Sequence, residues 1–388
     1  MISLIDKGDQ NHTISAFMAV TLNTLQLKDF RNHRSLELVV DSQQLILIGC
    51  NAMGKTNIIE ALQLTTMLRS FRTSHWQEVV FFGGEQAVIQ TDFNQNERRV
   101  ELELVIREGR RVYSLNDKQR PRDELLGLIP AVLFVPDDLD IVKGPAERRR
   151  SMIDGIGQQL SRTYDHMVSE YQRILRQRNR LLREQQVGGR APALQESWDE
   201  SLIKSGAQLL VHRLRLFERL AIKIKARYHE LSQGEELECV YEGVSSEINN
   251  LQNNTREEIE DIYRAQLVQV CADEQIRCRT LVGPHRDEIS FTLDKRNART
   301  FGSQGQQRTI ALACKLAELD LVREISGNDP LLLLDDVMSE LDTHRRAALL
   351  AQLNENVCAV ITATDMDYLE PKLLTRAQVV MLDGTTPR

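Results

Sequence analysis

Eight consecutive residues constrain this chain more than any other feature of its sequence. They are Gly49, Cys50, Asn51, Ala52, Met53, Gly54, Lys55 and Thr56, which match the pattern GxxxxGK[ST]. An apolar strand is predicted over 44–48 and an amphipathic helix over 55–68, one on each side of this loop. Glycines let backbone amides surround phosphate groups, and the helix N-terminus adds positive potential. The motif therefore predicts a nucleotide site in which Lys55 reaches the outer phosphates and Thr56 offers its hydroxyl to Mg²⁺.

A second motif lies at 331–336, where four leucines are followed by Asp335 and Asp336. An apolar strand ending in acidic residues is the Walker B arrangement of P-loop enzymes. Asp335 is predicted to hold Mg²⁺ through water, and Asp336 to orient or deprotonate the attacking water. Taken alone, the pattern also fits a buried strand that ends at a helix-capping aspartate. Together with the P-loop, it makes Lys55, Asp335 and Asp336 the predicted catalytic residues.

The third motif selects a class of ATPase. A loop rich in glycine and glutamine precedes a helix predicted over 306–323, and it contains Ser303, Gln304, Gly305, Gln306 and Gln307. Its position before the Walker B strand resembles the signature loop of ABC-type ATPases, which faces the γ-phosphate bound by a partner subunit. A glycine-rich helix cap is the alternative interpretation. Ser339 and Asp342 follow Walker B at the spacing of the ABC-type D-loop.

A departure from the ABC pattern follows at 361–365. Many ABC ATPases place a switch histidine there, at the end of a later strand, and this chain has none. Thr362 or Thr364 can only form hydrogen bonds at this position.

The middle of the chain has a different character. Two segments, 147–185 and 194–232, have helical periodicity, and a breaker cluster at 187–192 separates them. They predict an antiparallel helical hairpin projecting from a globular body, with kinks near Gly155, Gly157 and Gly206. Residues 147–232 contain 17 Lys and Arg against 10 Asp and Glu, a net charge of +7, so the rest of the chain carries −14. This excess fits either solvated helix faces or a surface that contacts a phosphate backbone.

The remaining segments alternate between strands and helices, which indicates an α/β sheet that is parallel at its centre. Strands are predicted at 21–30, 35–40, 87–93, 99–107, 111–115, 131–135, 237–247, 288–293, 331–334, 357–362 and 378–382, and helices at 256–272 and 343–354. The predicted fold class is α/β, an ABC-type P-loop ATPase head with mixed sheets and an inserted α-helical arm domain. We divide the chain into an N-terminal extension (1–18), a first head lobe (19–146), an arm region (147–275) and a C-terminal head part (276–388).

Composition excludes several classes of protein. A net charge of −7 over 388 residues rules out a uniformly basic coat for nucleic acid. The longest apolar run, 125–135, is too short to cross a bilayer, and residues 1–20 do not read as a signal peptide. The six cysteines form no CxxC pair and have no histidine at metal-ligand spacing. We therefore expect a cytoplasmic protein without a membrane partner.

Further stretches make the resemblance more specific. They lie at 27–32, 70–74, 134–139, 143–150 and 283–287, and they resemble the RecF family of bacterial recombination-mediator ATPases, which is related to SMC proteins. The residue sequence of the loop at 303–308 also matches this family better than it matches the signature loop of transporters. Two features depart from the family pattern. Ala52 stands where the P-loop of the family usually has glycine, and residues 1–17 precede Met18, near which a typical protein of the family begins.

The resemblance implies ATP and Mg²⁺ as cofactors and a homodimer that forms on ATP, with the Ser303 loop completing the partner's site. It implies binding to double-stranded or gapped DNA, action with RecR and RecO, and help in loading RecA during recombinational repair, replication restart and the SOS response. Weak, DNA-dependent ATP hydrolysis would release the protein. Arg31 and Asn57 would lie near the nucleotide. His285 and Arg286 would contact phosphate or DNA, or form structural hydrogen bonds.

Other functions remain open at this point. An ABC-type ATPase subunit could drive a different protein or a membrane partner, although the basic hairpin argues against a transporter. An SMC-like tether would need a longer coiled coil with a CxxC hook, and a nuclease-linked head would need a metal-nuclease cluster. Neither pattern is present in the sequence.

Overall fold

The computed structural model describes residues 20–95, 98–188, 192–232, 234–243 and 255–382. The predicted extension at 1–18 and the far end of the predicted strand 237–247 lie outside them. The strands are β1 (Val20–Phe30), β2 (His33–Val39), β3 (Gln44–Ile48), β4 (Gln86–Gln95), β5 (Arg98–Arg107), β6 (Arg110–Leu115), β7 (Lys118–Arg120), β8 (Ala131–Phe134), β9 (Leu237–Glu242), β10 (Glu288–Leu293), β11 (Arg296–Asn297), β12 (Leu331–Asp335), β13 (Ala359–Ala363) and β14 (Gln378–Met381). The helices are α1 (Lys55–Thr66), α2 (Arg122–Leu125), α3 (Ala146–Leu160), α4 (Arg162–Gly188), α5 (Pro192–Leu231), α6 (Arg256–Arg277), α7 (Ala298–Phe301), α8 (Gln304–Ser326), α9 (Thr343–Leu350) and α10 (Pro371–Arg376).

A five-stranded parallel sheet organises the head, in the order β14-β3-β13-β12-β8. Every neighbouring pair in it is parallel. In such a sheet the carboxyl ends of all strands meet at one edge, where ligands usually bind. The P-loop follows β3 at this edge, Asp336 follows β12, and Thr362 lies near the end of β13.

Both faces of this sheet are buried, which explains the unbroken apolar runs of its strands. Successive side chains point to opposite faces. Leu45, Leu331 and Val360 belong to a core shared with α1 and the antiparallel strands β1, β4 and β5. The opposite face contributes Ile46, Leu332 and Ile361 to a second core. This core also contains residues of α8, of the arm helices α3, α4 and α5, and of the small sheet β11-β10-β9. The sheet is therefore the layer that connects the P-loop with the signature helix α8.

A six-stranded antiparallel sheet, in the order β2-β1-β4-β5-β6-β7, covers the other side of α1. Its strands alternate buried and exposed positions, as β4 and β5 show clearly. One face therefore packs on α1 while the other meets water. The connection between β1 and β2 brings Arg31 and Asn32 to the side of the P-loop.

The arm helices differ from the predicted projecting hairpin. Hydrogen bonds join α5 to α8, with Arg227 donating to Asp320 at 2.7 Å and Arg219 to Glu324 at 2.6 Å. Helix α4 is joined to α6 through Arg178 and Glu274 at 2.6 Å. The prediction that the hairpin projects from the body is therefore wrong for these parts of α4 and α5, which lie against it. The antiparallel pairing of α4 and α5 is present, since Gln185 bonds Gln195 and the ring of Tyr171 lies beside Gly206.

The first predicted arm helix is two helices, and the break is not at a glycine. Helix α3 runs through Gly155 and Gly157 and α5 runs through Gly206, whereas Ser161 has extended backbone angles. The Ser161 hydroxyl accepts a hydrogen bond from the Tyr164 amide at 3.2 Å, so it caps the start of α4. A Cβ atom on Gly157 would lie 2.7 Å from the Tyr164 ring. Gly157 is therefore needed for close packing rather than for a kink.

Part of the excess positive charge of the arm is buried and paired within the protein. Arg149, Arg178 and Arg213 are buried, and each forms an ion pair with a carboxylate, namely Glu288, Glu274 and Asp154. Arg178 also reaches Asp199 at 2.6 Å, and Arg213 donates to the Pro284 carbonyl. Burying arginine is costly unless it is paired and hydrogen-bonded, and these three are. Net charge alone therefore overestimates the basic surface of the arm.

Candidate nucleotide site

The P-loop connects the end of β3 to the start of α1 in a backbone conformation that glycine favours. Gly54 has φ +92° and Ala52 has φ +69°, both in the left-handed region. A Cβ atom on Gly54 would overlap the His33 ring, and one on Gly49 would lie 2.6 Å from the Leu382 carbonyl oxygen. Gly54 is thus required by close contact as well as by φ. Ala52 adopts the conformation of the usual glycine at some conformational cost.

Helix α1 begins at Lys55 without a side-chain cap. The first amides of a helix have no partner within the helix and carry partial positive charge. The Lys55 ammonium donates to the carbonyl oxygens of Gly49 at 2.5 Å and Cys50 at 3.1 Å. This cluster of amides and an ammonium group fits an anionic phosphate chain. The predicted loop 49–56 is assembled as a single cradle in which Cys50 and Asn51 are exposed.

Asp335 lies directly beside Thr56. Its Oδ1 atom accepts hydrogen bonds from the Thr56 hydroxyl at 3.1 Å and from the Thr362 hydroxyl at 2.9 Å. Burial raises the pKa of Asp335, and the two hydroxyl bonds oppose that change. A hydroxyl and a carboxylate are hard oxygen ligands of the kind that Mg²⁺ prefers, so this donor set fits the predicted metal. The structure thus brings Thr56 and Asp335 together, as the motifs predicted.

Asp336 follows in the left-handed conformation, with φ +50°. Its amide donates to the Thr362 hydroxyl at 2.8 Å, so one buried threonine bonds both aspartates. Burial raises the pKa of Asp336, while the Lys55 charge lowers it. Thr362 thus lies at the strand end where many ABC ATPases have a switch histidine. Its hydroxyl holds the two Walker B residues in position through these hydrogen bonds. The sequence suggested only that it could form hydrogen bonds there.

Arg31 lies beside α1, but its guanidinium is occupied. It donates to both oxygens of the fully buried Glu60, at 2.8 and 2.7 Å, and to the Glu78 carbonyl. Arg72 also reaches Glu60, at 3.2 Å, and donates to the Asn57 side chain at 2.6 Å. The Arg72 side chain is 40% exposed, and its positive charge lowers the pKa of Asp335. Arg72 is therefore a site residue that motif matching did not assign, although it lies within the family-like stretch 70–74.

The signature loop, residues 303–307, is held at the start of α8. The Ser303 hydroxyl accepts from the Gln306 amide at 3.1 Å, and the Gln306 side chain accepts from the Ser303 amide. Helix α8 begins at Gln304 rather than at the predicted 306, because this reciprocal capping box closes its first turn. Gln307 is buried and donates to the Ala298 carbonyl at 2.9 Å. Gln306 and Gln307 therefore have structural partners in the chain, and no described hydrogen bond of residues 303–307 reaches the P-loop.

The D-loop is tied to the same helix by two arginines, of which the sequence motifs included Arg308 but not Arg345. Arg345 pairs with Asp342 and donates to the Gly305 carbonyl at 2.7 Å and the Thr309 hydroxyl. Arg308 donates to the Glu340 carbonyl at 3.1 Å. The Ser339 hydroxyl donates to the Asp336 carbonyl at 2.8 Å. A chain of contacts thus runs from Walker B through the D-loop to the signature loop.

Comparisons with known proteins place this arrangement in a family. Residues 21–379 match the family described as the RecF/RecN/SMC N terminal domain. The chain is 38% identical over 385 residues to the DNA replication and repair protein RecF of Gloeothece citriformis, covering 94% of this chain and 98% of that protein. The chain belongs to the RecF family. The family prediction made from the sequence is therefore confirmed.

Solved structures agree with this family assignment. The recombination mediator protein RecF-ATP of the RecFOR pathway aligns with a TM-score of 0.84 at 30% identity, over 92% of this chain and 96% of that one. The Smc head domain of Pyrococcus furiosus aligns with a TM-score of 0.50 at 16% identity, over 93% of both chains. The Smc likeness concerns the fold alone. The predicted ABC-type head with mixed sheets and a helical arm is confirmed.

Two further observations bear on the predicted partners and cofactors. Within the described ranges, no helix is long and apolar enough to cross a membrane. The same residues contain no group of three or more His, Cys, Asp or Glu side chains placed to hold a metal ion. A magnesium site at Thr56 and Asp335 would therefore take its remaining ligands from phosphate and water, as Mg²⁺ sites in nucleotide-binding proteins usually do.

Proposed function

We propose that this chain is an ATP-dependent DNA-repair protein of the RecF type, acting with RecR and RecO in recombinational repair. The observation that carries the proposal is the group Lys55, Thr56, Asp335 and Thr362 at the carboxyl edge of the parallel sheet. The names of the similar proteins, DNA replication and repair protein RecF and recombination mediator RecF-ATP, support the same role.

ATP would lie with its phosphates against the amides of residues 49–56 and the Lys55 ammonium. Thr56 and Asp335 would hold Mg²⁺, which when bound neutralises charge on the phosphate oxygens. Asp336 would accept the proton of the attacking water, since its carboxylate lies at the same sheet edge and its pKa is raised by burial. Asn57 and Arg72 would border the nucleotide, and Arg31 would act by positioning Glu60 and the adjoining wall.

The second half of the active site would come from a second copy of the chain. Ser303 and Gly305 lie at the N-terminus of α8, a helix of 23 residues, and this end would face the partner's outer phosphate. ATP would stabilise the dimer because it binds the paired state more tightly than the single chain. Weak hydrolysis, stimulated by DNA, would return the protein to the monomer and release it.

DNA would contact the exposed cations that the arm does not use internally. Arg176, Arg215 and Lys225 are exposed, and no hydrogen bond or ion pair occupies them within the described residues. Arg180 and Arg183, toward the end of α4, are also exposed, although Arg180 pairs with Glu184 and Arg183 donates to the Asn179 carbonyl of the same helix. Contacts of this kind carry little sequence information, and each phosphate neutralised increases the salt dependence of binding. Double-stranded or gapped DNA held in this way would position the protein for assisting RecA loading.

The test is duplex DNA binding with and without ATP, combined with sedimentation to measure subunit mass. Wild type is expected to dimerise and bind DNA only with ATP, whereas Lys55→Met does neither. Lys372→Met, at an exposed position on α10, is the matched control and should behave as wild type. If DNA binding is absent at low salt with ATP present, the repair function is wrong, and an ATPase that drives another protein becomes the better assignment.

A further inference from the structure

Exposed aromatic side chains are rare in the part of the chain that the structure describes. Among the aromatic residues that the structure describes, only Phe82 and Phe301 are exposed, at 98% and 68% of their surface. A single exposed apolar residue needs no explanation. These two are distinctive because Phe82 lines a cavity that reaches the first turn of α1, and Phe301 lies two positions before Ser303.

Phe82 stands at the tip of a fixed turn. The Phe81 amide donates to the Asp29 carbonyl at 2.7 Å, and the Gly84 amide closes the turn on the Phe81 carbonyl at 2.8 Å. Gly83 has φ +82°, as this kind of tight turn requires. The turn is therefore held in place by backbone hydrogen bonds while it presents Phe82 to solvent.

The same turn forms one wall of an open cavity of about 570 Å³ next to α1. Another part of the cavity wall is formed by Arg31, Asn32, Asn57 and Arg72. Asn57 is in the first turn of α1, and its side chain donates to Asn32 at 2.6 Å. Phe82 and the first turn of α1, which follows the P-loop, thus border the same cavity.

Phe301 is equally fixed to the signature loop. It is the last residue of α7 and lies two positions before Ser303. The Gly302 amide donates to the Ala298 carbonyl at 3.1 Å, and Gln307 of α8 donates to the same carbonyl. Phe301 and the start of α8 therefore form one rigid unit, in which the aromatic ring points to solvent.

We propose that Phe301 of one copy packs into the partner copy's cavity beside the Phe81–Gly84 turn, against Phe82. The inference rests on the proposed ATP-dependent dimer, which places the signature loop of one copy opposite the P-loop of the other. Phe301 then approaches the surface that carries Phe82. The two exposed rings become an aromatic pair at the rim of each composite site, with the Arg72 guanidinium within the same cavity wall.

The pairing gives the dimer an apolar anchor beside its charged centre. Buried aromatic residues are the usual energetic centres of protein interfaces, where truncation commonly weakens binding at least about tenfold. A symmetric dimer contains this contact twice. Phe301→Ala is therefore expected to weaken ATP-dependent dimerisation about 100-fold, and Phe82→Ala to a similar extent. ATP binding to the single Phe301→Ala chain should stay unchanged, because Phe301 belongs to the other half of the site.

Sedimentation of the ATP-bound protein, over a range of concentrations, measures these dimerisation constants. Val268→Ala and Ile276→Ala are matched controls, since these side chains are 75% and 73% exposed on α6. Loss of dimerisation in the two phenylalanine variants, with wild-type constants in the controls, supports the inference. Constants within threefold of wild type for both phenylalanine variants overturn it. A wild type that stays monomeric with ATP overturns the proposed dimer as well, so the two failures are distinguishable.

Photo-crosslinking locates the contact directly. A benzophenone analogue of phenylalanine at the exposed position 301 should leave the fold intact. With ATP, it is expected to crosslink two copies, and the modified peptide should contain residues 81–84. Lys55→Met carrying the same analogue should give no dimeric product. ATP-dependent crosslinks that map to a different part of the partner would overturn the assignment of this cavity.

Discussion

Charged side chains at the carboxyl edge of the parallel sheet have different partners from those inside the arm. At the sheet edge, Lys55 donates to two backbone carbonyls, and Asp335 accepts from two hydroxyls. In the arm, Arg178 bonds two carboxylates and a threonine, while Arg213 bonds one carboxylate through two nitrogens. The charged groups at the sheet edge therefore remain accessible to a ligand, whereas those in the arm form ion pairs that hold helices together.

The difference explains why charge alone is a poor guide to a binding surface. A buried ion pair neutralises itself and contributes little to the external field. The sheet-edge residues are held instead by neutral partners, so their charge is available to phosphate and metal. Substitutions in the two regions should therefore separate stability from ligand binding.

The largest stability effect is expected for Arg178→Met in the arm. It leaves Glu274 buried without its cation, which costs about 3–5 kcal/mol of unfolding free energy. Urea unfolding measures the change. Arg176→Met, on the exposed side of the same helix, should stay within about 0.5 kcal/mol of wild type. Equal stability of the two variants would mean that the buried pair does not hold α4 against α6.

The second prediction concerns the sheet edge. Thr362→Val removes the hydroxyl that bonds Asp335 and the Asp336 amide, and a hydrogen bond to a charged group is worth about 1.5–3 kcal/mol. Single-turnover ATP hydrolysis should fall about 10- to 100-fold, while ATP affinity changes little. Thr362→Ser, which keeps the hydroxyl, should restore the rate. A valine variant with full hydrolysis would exclude Thr362 as a positioning residue.

The third prediction uses pH to probe the region under the arm. The pKa of His285 is lowered from 6.5 to about 4, mainly by burial. The hydrogen bond to the Thr280 carbonyl opposes this change, and the charges of Arg286, Arg150 and Arg213 add to it. Because the folded pKa lies below the unfolded one, stability is complete above pH 6.5 and is lost as the pH falls towards 4. The contribution lost between pH 8 and pH 5 is about 2 kcal/mol.

Unfolding free energies at the two pH values measure this loss, with His285→Gln as the comparison. The glutamine variant should lose about 2 kcal/mol less than wild type between pH 8 and pH 5. The same pH dependence in wild type and His285→Gln would show that His285 is not the titrating group.

The smallest effect is expected at the break between α3 and α4. Ser161→Ala removes the hydroxyl that accepts the Tyr164 amide, which should cost about 1 kcal/mol. Ser201→Ala provides the control, because Ser201 lies within α5 and its hydroxyl donates to the Ser197 carbonyl of its own helix. It should leave stability unchanged or slightly higher. A cost at Ser201 as large as that at Ser161 would argue against capping.

Sequence patterns predicted the bounds of those strands and helices that are determined by residues close together in the chain. The bounds of β3 and β10 agree with the prediction, and α1 begins at the predicted Lys55. The start of α8 was missed by two residues, although the spacing of Ser303 and Gln306 is the sequence pattern of a capping box. The break at Ser161 was missed because glycine was given more weight than a serine cap.

Contacts between distant parts of the chain could not be predicted in this way. Arg178 and Glu274 are 96 positions apart, and Arg213 and Asp154 are 59 apart, so no local periodicity relates them. The same applies to Arg31 and Glu60, whose ion pair holds the Arg31 guanidinium beside α1. The P-loop and Walker B pairing was predictable because the topology of a parallel sheet dictates it.

The central claim is that the active site is shared between two copies of the chain. The most direct test mixes two variants that are each defective in one half, Lys55→Met and Ser303→Arg, and measures DNA-stimulated ATP hydrolysis. A mixed dimer contains one site with both halves intact, so equimolar mixing should restore hydrolysis well above the rate of either variant alone. A mixture that hydrolyses ATP no faster than the two variants separately would contradict the shared site.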